Sequence, residues 1–223
     1  MHPSPARFRP LPALLLTLLL IALPALASAA GPAEGPAPVA GVDYAVIEDG
    51  QRHGPADGKI EVVEVFSYGC HHCADFEPML NAWKHKQRKD VRLDYLPLPY
   101  RANDPLAAAF FAAQSDGSLP RTHPATFRAI HRDHTLPRNP TADEVATFYA
   151  GLGVDAARLK AAMTAPATLA KLPAAREFAI RAGVEGTPTL IVNGRYRIIG
   201  KSLDDVLRIA DHLITRERAA SRR

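Results

Sequence analysis

The chain is 223 residues long, 47% hydrophobic, with 27 Lys and Arg against 23 Asp and Glu and a formal net charge of +4. Two of those basic residues, Arg7 and Arg9, lie near the start, and without them the excess is only +2, which gives no electrostatic case for nucleic acid. Two cysteines are present, too few for a structural disulfide framework.

Residues 1–29 read as an export signal. Arg7 and Arg9 precede an apolar run over 11–26, and Ala25-Leu26-Ala27-Ser28-Ala29 offers small residues for cleavage after Ala27 or Ala29. The competing reading is a retained membrane anchor, but the run falls short of the roughly 20 residues a span needs. Pro12 and Pro24 lie near its ends, and no cysteine follows it to carry a lipid. Export would put the chain in a compartment where disulfides persist. The remaining length, about 190 residues, suits one domain, or one domain carrying a large insertion. No later segment is long and apolar enough to cross a membrane.

Residues 30–60 begin with a Pro-, Ala- and Gly-rich lead-in, expected to be flexible, and contain a short strand at Tyr44-Ala45-Val46-Ile47. Residues 61–67 are a buried strand by pattern. Residues 74–89 have helical spacing, with Phe76, Met79, Leu80 and Trp83 on one side, and Pro78 inside predicts a kink. A strand over 91–98 is stopped by Pro97 and Pro99. The pattern then turns Ala-rich and helical over 106–172, punctuated by five prolines from Pro120 to Pro166. Thr141 and Glu144 form a capping box for a helix over 142–150, and further helices follow over 155–165 and 168–182. Thr189-Leu190-Ile191-Val192 and Tyr196-Arg197-Ile198-Ile199 flank Asn193-Gly194, a two-residue hairpin signal. A last amphipathic helix spans 203–216, with Ser202 and Asp205 as a second capping box. The basic tail of Arg216, Arg218, Arg222 and Arg223 reads as a solvated helix end. Strands interrupted by a block of helices imply an α/β core with an inserted helical domain.

Cys70-His71-His72-Cys73 carries the chemistry. It sits where the apolar run Val62-Val63-Glu64-Val65-Phe66-Ser67 passes through Tyr68-Gly69 into a helix. A thiol that attacks or leaves a disulfide must be accessible and must ionise. Cys70, at the helix start, meets unpaired backbone N–H groups and the positive end of the helix dipole. Cys73, one turn in, is more covered. Cys70 is therefore the nucleophile and Cys73 the resolving thiol, while His71 and His72 can add hydrogen bonds or positive charge beside the sulfur. The alternative, a metal site, needs a second ligand pair. His131 and His134 have suitable spacing but follow no cysteine. A haem attachment fails because residue 74 is Ala.

The second signal is Gly186-Thr187-Pro188-Thr189, directly before an apolar strand. A cis Thr187-Pro188 bond would place a tight turn there and leave neighbouring backbone free to pair with a bound chain; an ordinary trans proline at a strand start is the alternative. Taken with the C-x-x-C, these residues make the chain resemble the thioredoxin-fold proteins and, with the helical insertion and signal peptide, the DsbA family of periplasmic thiol:disulfide oxidoreductases. The resemblance spans about residues 44–213.

That resemblance implies a thioredoxin-like domain over 61–223, interrupted by a helical insertion at about 103–172. It implies that Cys70 is the exposed nucleophile, Cys73 the resolving cysteine, and Pro188 a cis proline facing them, with Thr187 offering backbone to substrate. Glu64 matches an acid kept beneath the cysteines and is expected to relay a proton for Cys73; the alternative is an acid on an exposed strand face. Many members place a lysine near that acid, whereas here Asp94 falls in that region. His71-His72 also departs from the Pro-His common in the family. The implied reaction is donation of a disulfide to reduced exported proteins, with no cofactor or metal, by a monomer that a membrane partner of the DsbB type re-oxidises. An apolar peptide-binding surface beside the cysteines is implied too, with Phe110 and Phe111 as candidate contributors, although core packing is the favoured reading of those two. The rivals are a reductase or isomerase of the same fold and a thiol-based copper-delivery protein.

Overall fold

The computed structural model describes residues 1–2 and 34–221, so the expected signal segment over 1–29 lies outside the described residues apart from its first two positions, as do Arg222 and Arg223. In chain order the elements are β1 (Tyr44–Val46), β2 (Ile60–Phe66), α1 (His71–Lys86), β3 (Val91–Pro97), α2 (Pro105–Asp116), α3 (Leu119–His131), α4 (Ala142–Gly151), α5 (Ala156–Thr164), α6 (Pro166–Arg181), β4 (Thr189–Val192), β5 (Tyr196–Ile198) and α7 (Leu203–Ala220).

The five strands form one mixed sheet in the order β1-β5-β4-β2-β3. β2 is parallel to β3 and antiparallel to β4. All seven residues of β2 are buried, as expected of a strand flanked by neighbours on both edges and by helices on both faces. Its alternating side chains feed two cores. Val63 and Val65, with Ile191 of β4, meet the helical block through Phe110, Phe127, Tyr149 and Phe178. Val62, with Leu190 and Val192, meets Phe76, Leu80 and Trp83 of α1 and Ile209 and Leu213 of α7. Trp83 Nε1 also donates to Asp211 of α7 at 2.9 Å, tying the two helices of that face together.

The expected α/β core with inserted helices is present, with differences in detail. Five helices occupy the stretch from Pro105 to Arg181 between β3 and β4, with a loop over 132–141 between α3 and α4, and α6 starts on Pro166, whose missing N–H costs nothing in a first helical turn. The hairpin loop has three residues: Val192 pairs with Tyr196, so Arg195 joins Asn193 and Gly194 in the turn, both of which take positive φ. The Thr141–Glu144 capping box is complete. At α7 only half of the expected box forms. Ser202 accepts from the Asp205 N–H, but the Asp205 carboxylate takes the N–H of Lys201. That helix runs four residues past Arg216, to Ala220. Phe110 and Phe111 do not line a peptide surface: both rings are buried in the core of the helical block.

Candidate active site

β2 ends at Phe66, and the chain turns through Ser67, Tyr68 and Gly69 before α1 begins. Ser67 shapes the turn, its hydroxyl accepting from Gly69 N at 3.2 Å and its carbonyl from Cys70 N at 3.1 Å. Cys70 is the N-cap of α1, in an extended conformation, and supplies no side-chain cap hydrogen bond. The first turn of α1 also lacks an acid. The orphan amides of that turn therefore keep their full attraction for negative charge, and the nearest group able to carry it is the Cys70 sulfur.

Cys70 is half-buried and Cys73 fully buried, and both are free. The Cys73 thiol donates to the Cys70 sulfur and, aided by the backbone N–H groups of Cys73 and His72, holds the Cys70 thiol down to about 5 against the opposing cost of burial. The same contact pushes Cys73 far up, since a proton shared with a neighbouring thiolate is not easily lost; burial and the charge of Glu64 act in the same direction. The two thiols of one helical turn are thus driven apart, which the C-x-x-C spacing alone does not dictate. His71 and His72 are exposed, and their rings lie against each other with centroids 3.9 Å apart.

The Thr187-Pro188 bond is cis, and the Thr187 carbonyl oxygen lies 3.2 Å from Cys70 Sγ, accepting from it when it is a thiol. Two segments more than a hundred residues apart are thereby brought to one point, with the backbone of residue 187 beside the reactive sulfur.

Glu64 lies beneath the cysteines. It is 1% exposed, and among the described residues neither carboxylate oxygen has a hydrogen-bond partner. Burial, with the nearby charges of Glu77 and Cys70, pushes its carboxyl up to about 8. Asp94 is not its neighbour. Asp94 sits opposite Val63, on the other face of the sheet, and its carboxylate accepts from Arg92 Nε at 2.7 Å. The β3 residue opposite Glu64 is Tyr95, whose hydroxyl is pushed up by burial and then by Glu64. Sequence reasoning missed Tyr95 and Glu77. The available signal for Glu77 was the four-residue step from Cys73 along α1, whereas Tyr95 depends on the register of β2 with β3, which is not legible in the sequence. Among the described residues no three His, Cys, Asp or Glu side chains gather as a metal-holding group.

Known proteins resemble this chain in sequence and in fold. A family model described as Thioredoxin matches residues 48–212. The thiol:disulfide interchange protein DsbA of Pseudomonas aeruginosa is 38% identical over 170 residues, covering 74% of this chain and 80% of that protein. DsbA of Azotobacter vinelandii is 36% identical over 167 residues, with 73% and 77% covered. Among solved structures, oxidoreductase DsbA from Xylella fastidiosa superposes with a TM-score of 0.78 at 45% identity, covering 82% of this chain and 98% of that one. Pseudomonas aeruginosa DsbA superposes with a TM-score of 0.75 at 35% identity, with 83% and 97% covered.

Proposed function

Since the chain belongs to the thioredoxin family, among the DsbA thiol:disulfide oxidoreductases, we propose that Cys70 is the sulfur through which it oxidises substrate proteins and that Cys73 and Glu64 manage the proton. The observation that carries this assignment is the inequality of the two thiols, one half-buried and easily ionised, the other buried and held protonated.

In the oxidised protein Cys70 and Cys73 form a disulfide. A substrate thiolate attacks Cys70 Sγ, the exposed end, forming a mixed disulfide and expelling the Cys73 sulfur with the bond's electron pair. A bare thiolate at a buried position is costly, so Cys73 takes a proton. Glu64 is suited to give it, because a carboxyl raised to about 8 is largely protonated at neutral pH and, unpaired, has nothing else holding its proton. A second substrate thiolate then attacks the substrate sulfur of the mixed disulfide. Cys70 departs as a thiolate, stabilised by the Cys73 thiol and the first-turn amides. Substrate loses two electrons and gains a disulfide; the protein leaves as the dithiol. Cys70 is a good leaving group for the reason it is acidic, which favours donation of the disulfide over its retention.

The Thr187 carbonyl beside Cys70 supports a role for that backbone in pairing with an extended substrate chain. We assign Pro188 to shaping that edge, and His71 and His72 to the exposed rim met first by an incoming protein. Relatives of this family, together with the apolar run and small residues of 1–29, support export to the periplasm and re-oxidation there by a membrane partner of the DsbB type, with the protein acting as a monomer. Among the described residues no helix is long and apolar enough to cross a membrane.

Incubating the reduced Cys73→Ser variant with unfolded protein that carries a disulfide tests the assignment: the Cys70 thiolate attacks that disulfide and expels the other substrate sulfur as a thiolate. Cys70 should accumulate as a mixed disulfide, since its partner sulfur is missing, whereas Cys70→Ser should capture none and oxidise nothing. Equal capture by both variants overturns it.

A further inference from the structure

The loop that delivers Cys70 is held by two histidines of α3, neither of which the reaction above uses. His131 Nε2 lies 2.7 Å from the backbone carbonyl oxygen of Tyr68. A carbonyl only accepts, so that nitrogen carries the proton and donates. One face further along the same helix, His123 Nδ1 lies 2.8 Å from the Tyr68 hydroxyl. Both ends of Tyr68, main chain and side chain, are thus bound to one helix of the inserted block, two residues before the reactive cysteine.

The environment makes these contacts stiff. His123 is 4% and Tyr68 2% exposed. The His123 ring is enclosed by Tyr95, Phe66, Phe127, Tyr68 and Phe110, with centroids 4.7 to 5.8 Å away. Among the described residues its Nε2 has no partner, so the Tyr68 hydroxyl is the one polar anchor they give this buried imidazole. The opposite side of the loop is open. Ser67, Tyr68 and Gly69 border a cavity of about 280 Å³ shared with Leu98 and Tyr100. Packing therefore fixes the loop on one side only, and a carbonyl released by His131 has room to turn.

We propose that His131 and His123 are positioning residues that hold Tyr68, and through it the Cys70 loop, where the sulfur meets the first-turn amides of α1. This rests on the assignment of Cys70 as the reacting sulfur. The physical link is short: Cys70 N donates to Ser67 O and Gly69 N to Ser67 Oγ, so a turn of the Tyr68 peptide moves the residue that places Sγ. Reactivity set by fixed dipoles is lost when the reacting atom shifts by a fraction of an ångström.

The test is a pH titration of thiolate absorbance in the reduced full-length protein, beside the redox equilibrium with glutathione, for wild type, His131→Phe, His131→Gln and Tyr68→Phe. His131→Phe keeps a ring against Phe127 and removes the donor. We expect about a tenfold fall in the Cys70 acid dissociation constant and an equilibrium shifted toward the disulfide. His131→Gln returns a donor and should recover most of both. Tyr68→Phe should give a smaller change in the same direction. If the variants titrate with wild type and only their unfolding temperatures fall, the histidines are structural and the proposal is overturned. If His131→Phe does not fold, Tyr68→Phe decides in the same way. A wild type that shows no readily ionised thiol would instead overturn the Cys70 assignment on which the proposal rests.

Discussion

Two glutamates of β2, three residues apart, are equally buried and have opposite fates. Glu61 is 0% and Glu64 1% exposed. Glu61 accepts from His53 N at 2.9 Å, Gly54 N at 2.6 Å and an Arg92 guanidinium N–H at 2.7 Å. Glu64 accepts from nothing among the described residues. An odd separation along a strand puts them on opposite faces. Arg92, opposite Glu61 in the parallel register, therefore reaches Glu61 and Asp94 but not Glu64. Burial alone does not make an acid functional; what its oxygens find there decides whether it stays charged and holds structure, or stays protonated and is free to give up a proton.

The largest effect should come from breaking the satisfied site. Glu61→Ala strands two backbone amides and takes from Arg92 one of three carboxylates, leaving it Asp57 and Asp94, and we expect a loss of about 3 kcal/mol in denaturant unfolding, from donors left unmade at roughly 1–3 kcal/mol each. Cys70 alkylation by iodoacetamide should be unchanged in the folded fraction.

Glu64→Gln should act with the opposite sign. The folded carboxyl is raised from 4.5 to about 8. For an acid shifted upward, its contribution to stability is intact below the unfolded value and is lost as pH rises toward the folded one. Wild type and variant should therefore unfold alike near pH 4.5, and the variant should become the more stable toward pH 8, by on the order of 2 kcal/mol. Oxidation of a reduced peptide should slow in the same protein, because Gln cannot supply the proton for Cys73. A variant less stable than wild type at the alkaline end would show that Glu64 is paired after all.

A cation can be given to the unsatisfied acid. Tyr95→Lys puts an ammonium opposite Glu64, and we expect the carboxyl to ionise at a lower pH, read by carboxyl infrared or NMR titration, with oxidation slowed toward the rate of Glu64→Gln. An unmoved titration would mean that the lysine points elsewhere. The smallest effect should follow replacement of His71 and His72 by Ser and Gly. Both rings are exposed, so unfolding stability should stay within about 0.5 kcal/mol. The Cys70 titration should move less than in Cys73→Ala, since the Cys73 thiol is the foremost cause of the acidity.

The chemistry was more legible in the sequence than its surroundings. A C-x-x-C at the end of an apolar strand and a Thr-Pro before another strand are local patterns with a physical reading, and the structure brings them within 3.2 Å. The partners of the acids were not legible. Nothing near Glu61 or Glu64 in sequence tells them apart, because their difference lies in the register with β3 and in the loop at His53 and Gly54. The same limit misplaced Asp94, assigned to the wrong side of β3 by one residue. Phe110 and Phe111 pack into the core, the reading favoured for them over a peptide surface, although the weak periodicity of their Ala-rich helix does not say which side is covered. His131 stood out only for its metal-like spacing from His134, while its contact is with a carbonyl 63 residues away.

The inequality of the two cysteines is the central claim, and a titration of the reduced protein reaches it directly. Thiolate absorbance, with alkylated residues identified by mass spectrometry, should show one thiol ionising near pH 5, alkylation confined to Cys70, and Cys73 silent through neutral pH. If both thiols ionise together near the ordinary value of 9.0, with alkylation shared between them, the site is not built as described and the disulfide would not be a ready donor.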